Sequence, residues 1–137
     1  MDLNIADLTQ LMRVRMTEKM HAERLSVSFF QALVLLAIGR FDECTAHDIV
    51  VVMRKDKAQI TRLINELIAL EMVTRTKSEK DRRQSLLHLT AAGQQYFQRL
   101  TDIRTQLNAD MTQSLTAEQQ RIMQEALTIM RDNLSPR

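Results

Sequence analysis

The stretch Lys77-Ser78-Glu79-Lys80-Asp81-Arg82-Arg83-Gln84-Ser85-Leu86-Leu87-His88-Leu89-Thr90-Ala91-Ala92-Gly93 decides how the chain is read. A mixed-charge tip leads into the apolar residues Leu86, Leu87 and Leu89, the pattern of a short strand behind a turn. Thr90 then stands where an N-cap opens a long helix. Met72 to Lys77 is strand-like as well, so Ser78–Arg83 reads as the tip of a hairpin. Chemistry rarely needs such a unit. Binding a polyanion does, because a long cationic side chain at a hairpin tip reaches into a groove.

Upstream, Thr45-Ala46-His47-Asp48 has capping-box spacing, with Asp in the place of the usual Glu or Gln. Ile49, Val50, Val52 and Met53 follow; their β-branched character also permits a strand, but the cap and the short length favour a helix. Arg54-Lys55-Asp56 separates this run from Ile60, Leu63, Ile64, Leu67 and Leu70, which recur at helical spacing. A short helix, a tight turn and a second helix in series form a helix-turn-helix, here directly before the hairpin.

The second helix divides by role. Ile60, Leu63, Ile64 and Leu67 face inward, leaving Lys57, Gln59, Thr61, Arg62 and Asn65 outside. Gln, Asn, Thr and Arg are side chains that hydrogen-bond base edges. Lys55 and Lys57 lie at the helix start, where free backbone amides favour phosphate. Glu66 is the single acid between Lys57 and Leu70, whereas an ordinary solvated helix carries Glu–Lys pairs. At the hairpin tip Lys80, Arg82 and Arg83 are cationic, and Asp81 is the anomaly. Its sensible role is internal, pairing with Arg83 or capping the turn.

The chain ends are helical. Ile5, Leu8, Met12, Met16 and Met20, with Leu11 alongside, form a stripe on a helix from about Asn4 to Arg24. Ser26 or Ser28 caps a helix carrying Phe29, Phe30, Leu33, Leu36 and Ala37, with Gly39 as its C-terminal glycine. Phe41-Asp42-Glu43-Cys44 is a connector. After Thr90 a long helix carries Phe97, Leu100, Ile103 or Arg104, Leu107 and Met111. Thr116-Ala117-Glu118-Gln119 caps the last helix, with Ile122, Met123, Ala126, Ile129 and Met130 along it, and Ser135-Pro136-Arg137 is expected to fray.

Composition agrees. The 137 residues include two Gly and one Pro, so turns are few and helices long. Hydrophobic residues make up 45% and aromatics only 4%, which implies an aliphatic, Met-rich core. Between Arg54 and Arg83 nine Lys/Arg face five Asp/Glu, while elsewhere ten oppose twelve. A basic middle between mildly acidic flanks fits a nucleic-acid reader, although a solvated charged face has the same count. One Cys excludes an intramolecular disulfide framework and fits a reducing cytoplasm. No apolar run approaches the roughly 18 residues of a membrane span. Met1-Asp2-Leu3-Asn4 has no signal-peptide character.

The wing residues Asp81 and Arg83, continued by Leu87, Leu89, Thr90 and Gly93, resemble the Asp-x-Arg wing pattern of the MarR family of transcriptional regulators. Asp56-Lys57 and Arg62 resemble family members too, and the order of elements covers essentially the whole chain. The expected fold is mainly α with a small β-hairpin wing. One MarR-like domain spans 1–137, with a winged helix-turn-helix lobe over 28–89 and a helical dimerisation region over 1–25 and 90–134. Two departures stand out. Glu71 takes the place of the family's Gly after the recognition helix, so that helix is expected to end differently, and Arg54-Lys55 replaces the family's Gly and apolar residue in the turn.

The resemblance implies a cytoplasmic, homodimeric repressor of double-stranded DNA operators, released by a small aromatic or phenolic effector. The candidate effector cleft is lined by Met12, Met16, Phe29 and Phe30, although a Met stripe at this spacing is more often core. The dimer is also expected from the residues, because the apolar stripes of the terminal helices exceed what a small lobe can cover. No catalytic constellation, cofactor motif or metal-ligand spacing is present, with His21, His47 and His88 unlinked to Cys44. Asp42 and Glu43 beside Cys44 argue against a redox role. An enzyme is therefore not expected. The rival class is a winged-helix docking module without specific DNA binding, which calls for neutral or apolar outer positions on the recognition helix.

Overall fold

A computed structural model describes residues 4–136. The parts of the terminal helical region and tail assigned to Met1–Leu3 and Arg137 lie outside the described residues. The elements run α1 (Ile5–Ala22), α2 (Phe29–Arg40), β1 (Cys44–Thr45), α3 (Ala46–Met53), α4 (Lys57–Ala69), β2 (Val73–Lys77), β3 (Ser85–Leu89), α5 (Ala91–Thr112) and α6 (Ala117–Leu134). The mainly helical fold with a small antiparallel sheet is as expected. No helix among the described residues is long and apolar enough to cross a membrane.

The chain forms two compact units, divided within α5 after Arg104. The first holds the sheet and its helices. Ser28 and Gln31 close a reciprocal capping box on α2, and Thr45 and Asp48 close another on α3. Against these, α4 buries Ile60, Leu63, Ile64 and Leu67, in a core with Val34, Leu35, Leu36, Ile49, Val73, Leu87 and Leu100. The α1 stripe divides along its length. Met16 and Met20 are buried, whereas Ile5, Leu8 and Leu11 are exposed.

The sheet holds one strand more than the hairpin. Its order is β1-β3-β2, with Cys44 opposite Leu87 and Thr45 opposite Leu86. Two residues give too short a run to show alternation, so a strand in this connector is invisible to periodicity.

Gly39 lies inside α2 and is not its C-cap, which is Phe41. A Cβ at Gly39 would sit 2.2 Å from the Phe97 ring, so the glycine admits a close-packed aromatic. At Glu71 the helix does end as the missing glycine would have it. Glu71 has φ 60°, its N–H donates to Ile68 O at 2.9 Å, and Met72 N–H donates to Leu67 O at 3.0 Å. This is a Schellman closure built on a residue with a Cβ. The strain is about 1 kcal/mol. It is tolerated because Thr90 Oγ1 donates to Glu71 O at 2.7 Å and Thr90 N–H donates to Met72 O at 3.0 Å. Gly93 completes this joint, since a Cβ there would meet Met72 O at 2.1 Å.

The second unit comprises the end of α5 and α6. Thr116 and Gln119 form the expected capping box. No residue of α6 is buried, and Ile122, Met123, Leu127 and Ile129 are exposed.

Candidate nucleic-acid interface

The outward side of α4 carries Lys57, Gln59, Thr61, Arg62 and Asn65, all exposed, opposite its buried row. Lys57, Thr61, Arg62 and Asn65 line an open concavity of about 890 Å³ together with Ala58 and Glu66. The start of α4 differs from expectation. Asp56 is the N-cap and its Oδ1 accepts from Gln59 N–H at 2.8 Å. One amide expected to face phosphate is thus occupied by a carboxylate, which suits the positive end of a helix as well as an anionic ligand does.

Two outward side chains are held by neighbours. Arg62 Nη1 donates to Glu66 Oε2 at 3.0 Å, and Gln31 Nε2 donates to the other oxygen of Glu66 at 3.1 Å. Arg75, on β2, donates from Nη2 to Asn65 Oδ1 at 3.0 Å. A guanidinium only donates, so the Asn65 oxygen faces Arg75 and its NH2 group is left for another partner. Arg75 is not among the site residues that the sequence suggests. Its place opposite Asn65 depends on how β2 folds back along α4, which spacing in the sequence does not reveal.

At the wing tip Asp81 does both things expected of it. Its Oδ1 accepts from Arg83 N–H at 3.0 Å and lies 3.6 Å from Arg83 Nε. The turn is closed beneath it: Ser78, itself buried, accepts from Asp81 N–H through Oγ at 3.3 Å, and Ser78 N–H donates to Gln84 O at 3.0 Å. The Arg83 side chain is 95% exposed, and Lys80 and Arg82 are exposed beside it. A fixed turn therefore presents three exposed cations.

Lys55 stands apart from the other candidate contacts. Its ammonium lies 4.1 Å from the Phe30 ring centroid, a cation–π contact. Phe29 and Phe30 meet edge to face at 5.4 Å, and the Arg13 guanidinium lies 5.0 Å from both rings. Of the four candidate cleft residues, Met16 is buried and Met12, Phe29 and Phe30 are half-buried. Phe30 lines a pocket of about 440 Å³ whose other walls include Leu33, Val52, Met53 and the cations Arg40, Lys55 and Arg104. Burial, then repulsion from Arg40, holds the Arg104 pKa below the ordinary guanidinium value.

Cys44 is buried, and its thiol pKa is pushed up to about 12, first by burial and then by Asp48. The sequence points to Asp42 and Glu43 as the responsible acids. The acid that acts on the thiol is instead Asp48, whose carboxylate caps α3 by accepting from Thr45 N–H. A thiol so raised is a poor nucleophile.

Known proteins agree with this geometry. The MarR family profile matches residues 25–84. An uncharacterised HTH-type transcriptional regulator of Bacillus subtilis strain 168, YdgJ, is 27% identical over 102 residues; the match spans 74% of this chain and 62% of that relative's length. A MarR-family regulator from Listeria monocytogenes, solved with a 26-mer DNA, superposes with a TM-score of 0.89 at 17% identity, covering 98% of this chain and 89% of that one. The S. aureus MepR–DNA complex superposes with a TM-score of 0.87 at 19% identity, covering 98% and 99%. At such identities the superpositions speak for the fold, and the profile match speaks for residues 25–84. Over residues 25–84, which hold the helix-turn-helix and the wing tip, the chain matches the MarR family, on a fold shared almost end to end with solved members of that family.

Proposed function

We propose that this chain is a sequence-specific DNA-binding transcriptional regulator, not an enzyme, acting as a homodimeric repressor on a pseudo-palindromic operator. The observation that carries the reading is the outward face of α4. It is polar and cationic along Lys57, Gln59, Thr61, Arg62 and Asn65, where a docking module calls for apolar or neutral residues. In this reading Gln59, Thr61, Arg62 and Asn65 meet base edges and Lys57 meets phosphate. Arg83 enters the minor groove, with Lys80 and Arg82 on the backbone and Asp81 as the brace. The match of fold to relatives solved with DNA supports it.

The dimer reading rests on the exposed apolar residues of α1 and α6, which need a second apolar surface. A two-fold dimer reads half-sites about 34–36 Å apart. An effector is assigned to the Phe30 pocket. Three cations and no carboxylate line it, which favours an aromatic or phenolic anion.

The test is a gel shift on the chain's own upstream region at two salt concentrations. Binding should survive competitor DNA and weaken steeply with salt. Gln59→Ala should alter preference at one base position, at about 1–3 kcal/mol of discrimination. Aromatic carboxylates should release the DNA. No retarded complex at either salt would point to the docking module.

A further inference from the structure

Glu66 is the one acid on α4 after its cap, where a carboxylate works against a polyanion. Helix stability does not account for it. Arg62 precedes Glu66, the weaker orientation for a pair at this spacing, and such an exposed pair contributes little. The second oxygen of Glu66 is what sets the pair apart. Oε1 accepts from Gln31 Nε2 across the gap to α2, while Gln31 Oε1 accepts from Ser28 N–H at 3.0 Å. The Gln31 amide is therefore oriented by a donor on one side and an acceptor on the other. Glu66 is 38% exposed against 64% for Arg62, so the carboxylate is the anchored partner and the guanidinium the free end.

We propose that Gln31 and Glu66 form a buttress that sets the plane of Arg62 and makes it selective for guanine. The proposal rests on the DNA-reading function above. One of five guanidinium N–H groups goes to Glu66. With the plane set, a remaining pair can donate to O6 and N7 of a guanine, the geometry that distinguishes this base. An unrestrained arginine binds phosphate on any sequence. The same carboxylate repels phosphate, which lowers sequence-independent binding. Glu66 is thus a positioning residue, and Gln31 fixes it.

The experiment selects random duplex DNA with the full chain as wild type, Arg62→Lys, Glu66→Gln and Gln31→Glu, with thermal melting of each. Gln31→Glu keeps the oxygen that caps α2 but turns a like charge on Glu66. Wild type should enrich guanine at one half-site position, and Arg62→Lys should lose it. Glu66→Gln and Gln31→Glu should each weaken that preference about tenfold. Glu66→Gln should also bind random DNA several-fold more tightly. Full guanine preference in Glu66→Gln overturns the buttress. So does an equal affinity loss on all sequences with unchanged preference, the mark of a merely structural role. A wild-type chain that enriches no sequence overturns the DNA-reading function and the buttress with it.

Discussion

The outward faces of α4 and α6 are both long exposed helix surfaces, and they are chemically opposite. Helix α4 has sealed its apolar row: Ile60, Leu63, Ile64 and Leu67 are buried, and what remains outside is polar apart from the small side chains of Ala58 and Ala69 and the half-buried Ile68. Helix α6 has sealed nothing. Ile122 is 52% and Ile129 61% exposed, beside polar turns where Arg121 pairs with Glu118 and Glu125. A polar face needs no cover and is free to meet a polar partner. An apolar row left in water is incomplete. The difference separates a surface that is stable in water from one that gains by being covered.

The contrast can be broken in four places. The largest effect is expected at Leu67, fully buried in α4: Leu67→Ala should cost about 3 kcal/mol in urea unfolding. A cost near zero would mean that α4 is not the sealed element described. On α6 the effect belongs to association in the proposed dimer. Ile122→Glu with Ile129→Glu should raise a dimer dissociation constant by about a hundredfold or more in sedimentation equilibrium. An unchanged sedimentation profile would remove α6 from the dimer interface. At the wing, Arg83→Ala should weaken DNA binding about tenfold on all sequences and lower the salt slope by about one phosphate contact. A change confined to one base position would make Arg83 a base reader instead. The smallest effect is a gain. Glu71→Gly should relieve the left-handed strain after α4 and raise stability by roughly 0.5–1 kcal/mol, read as a melting temperature a few degrees higher. A loss would show that the Glu71 side chain contributes more than its backbone costs.

The helices of the lobe were legible because their signals are local. Thr45 with Asp48 and Thr116 with Gln119 cap as their spacing says, and the period of Ile60, Leu63, Ile64 and Leu67 marks a buried face. The Asp81 brace was legible for the same reason, lying two residues from Arg83. Contacts between distant segments were not. Gln31 meets Glu66 across 35 positions, and Arg75 meets Asn65 only because β2 turns back along α4. Gly39 looked like a helix stop, because a glycine near the end of an apolar run is ambiguous until the Phe97 ring is seen against it.

By itself, then, the sequence determined the order of helices, their caps, the outward row Lys57, Gln59, Thr61, Arg62 and Asn65, and the cationic wing tip. These follow from periodicity, capping and charge within a few residues of each other. Tertiary structure alone decided the orientation of those side chains. Glu66 binds Arg62, Arg75 binds Asn65, and Lys55 turns to Phe30. It also decided how α4 ends at Glu71, because a strained left-handed residue persists only where surrounding contacts over-determine it. Here Thr90, nineteen residues on, supplies them.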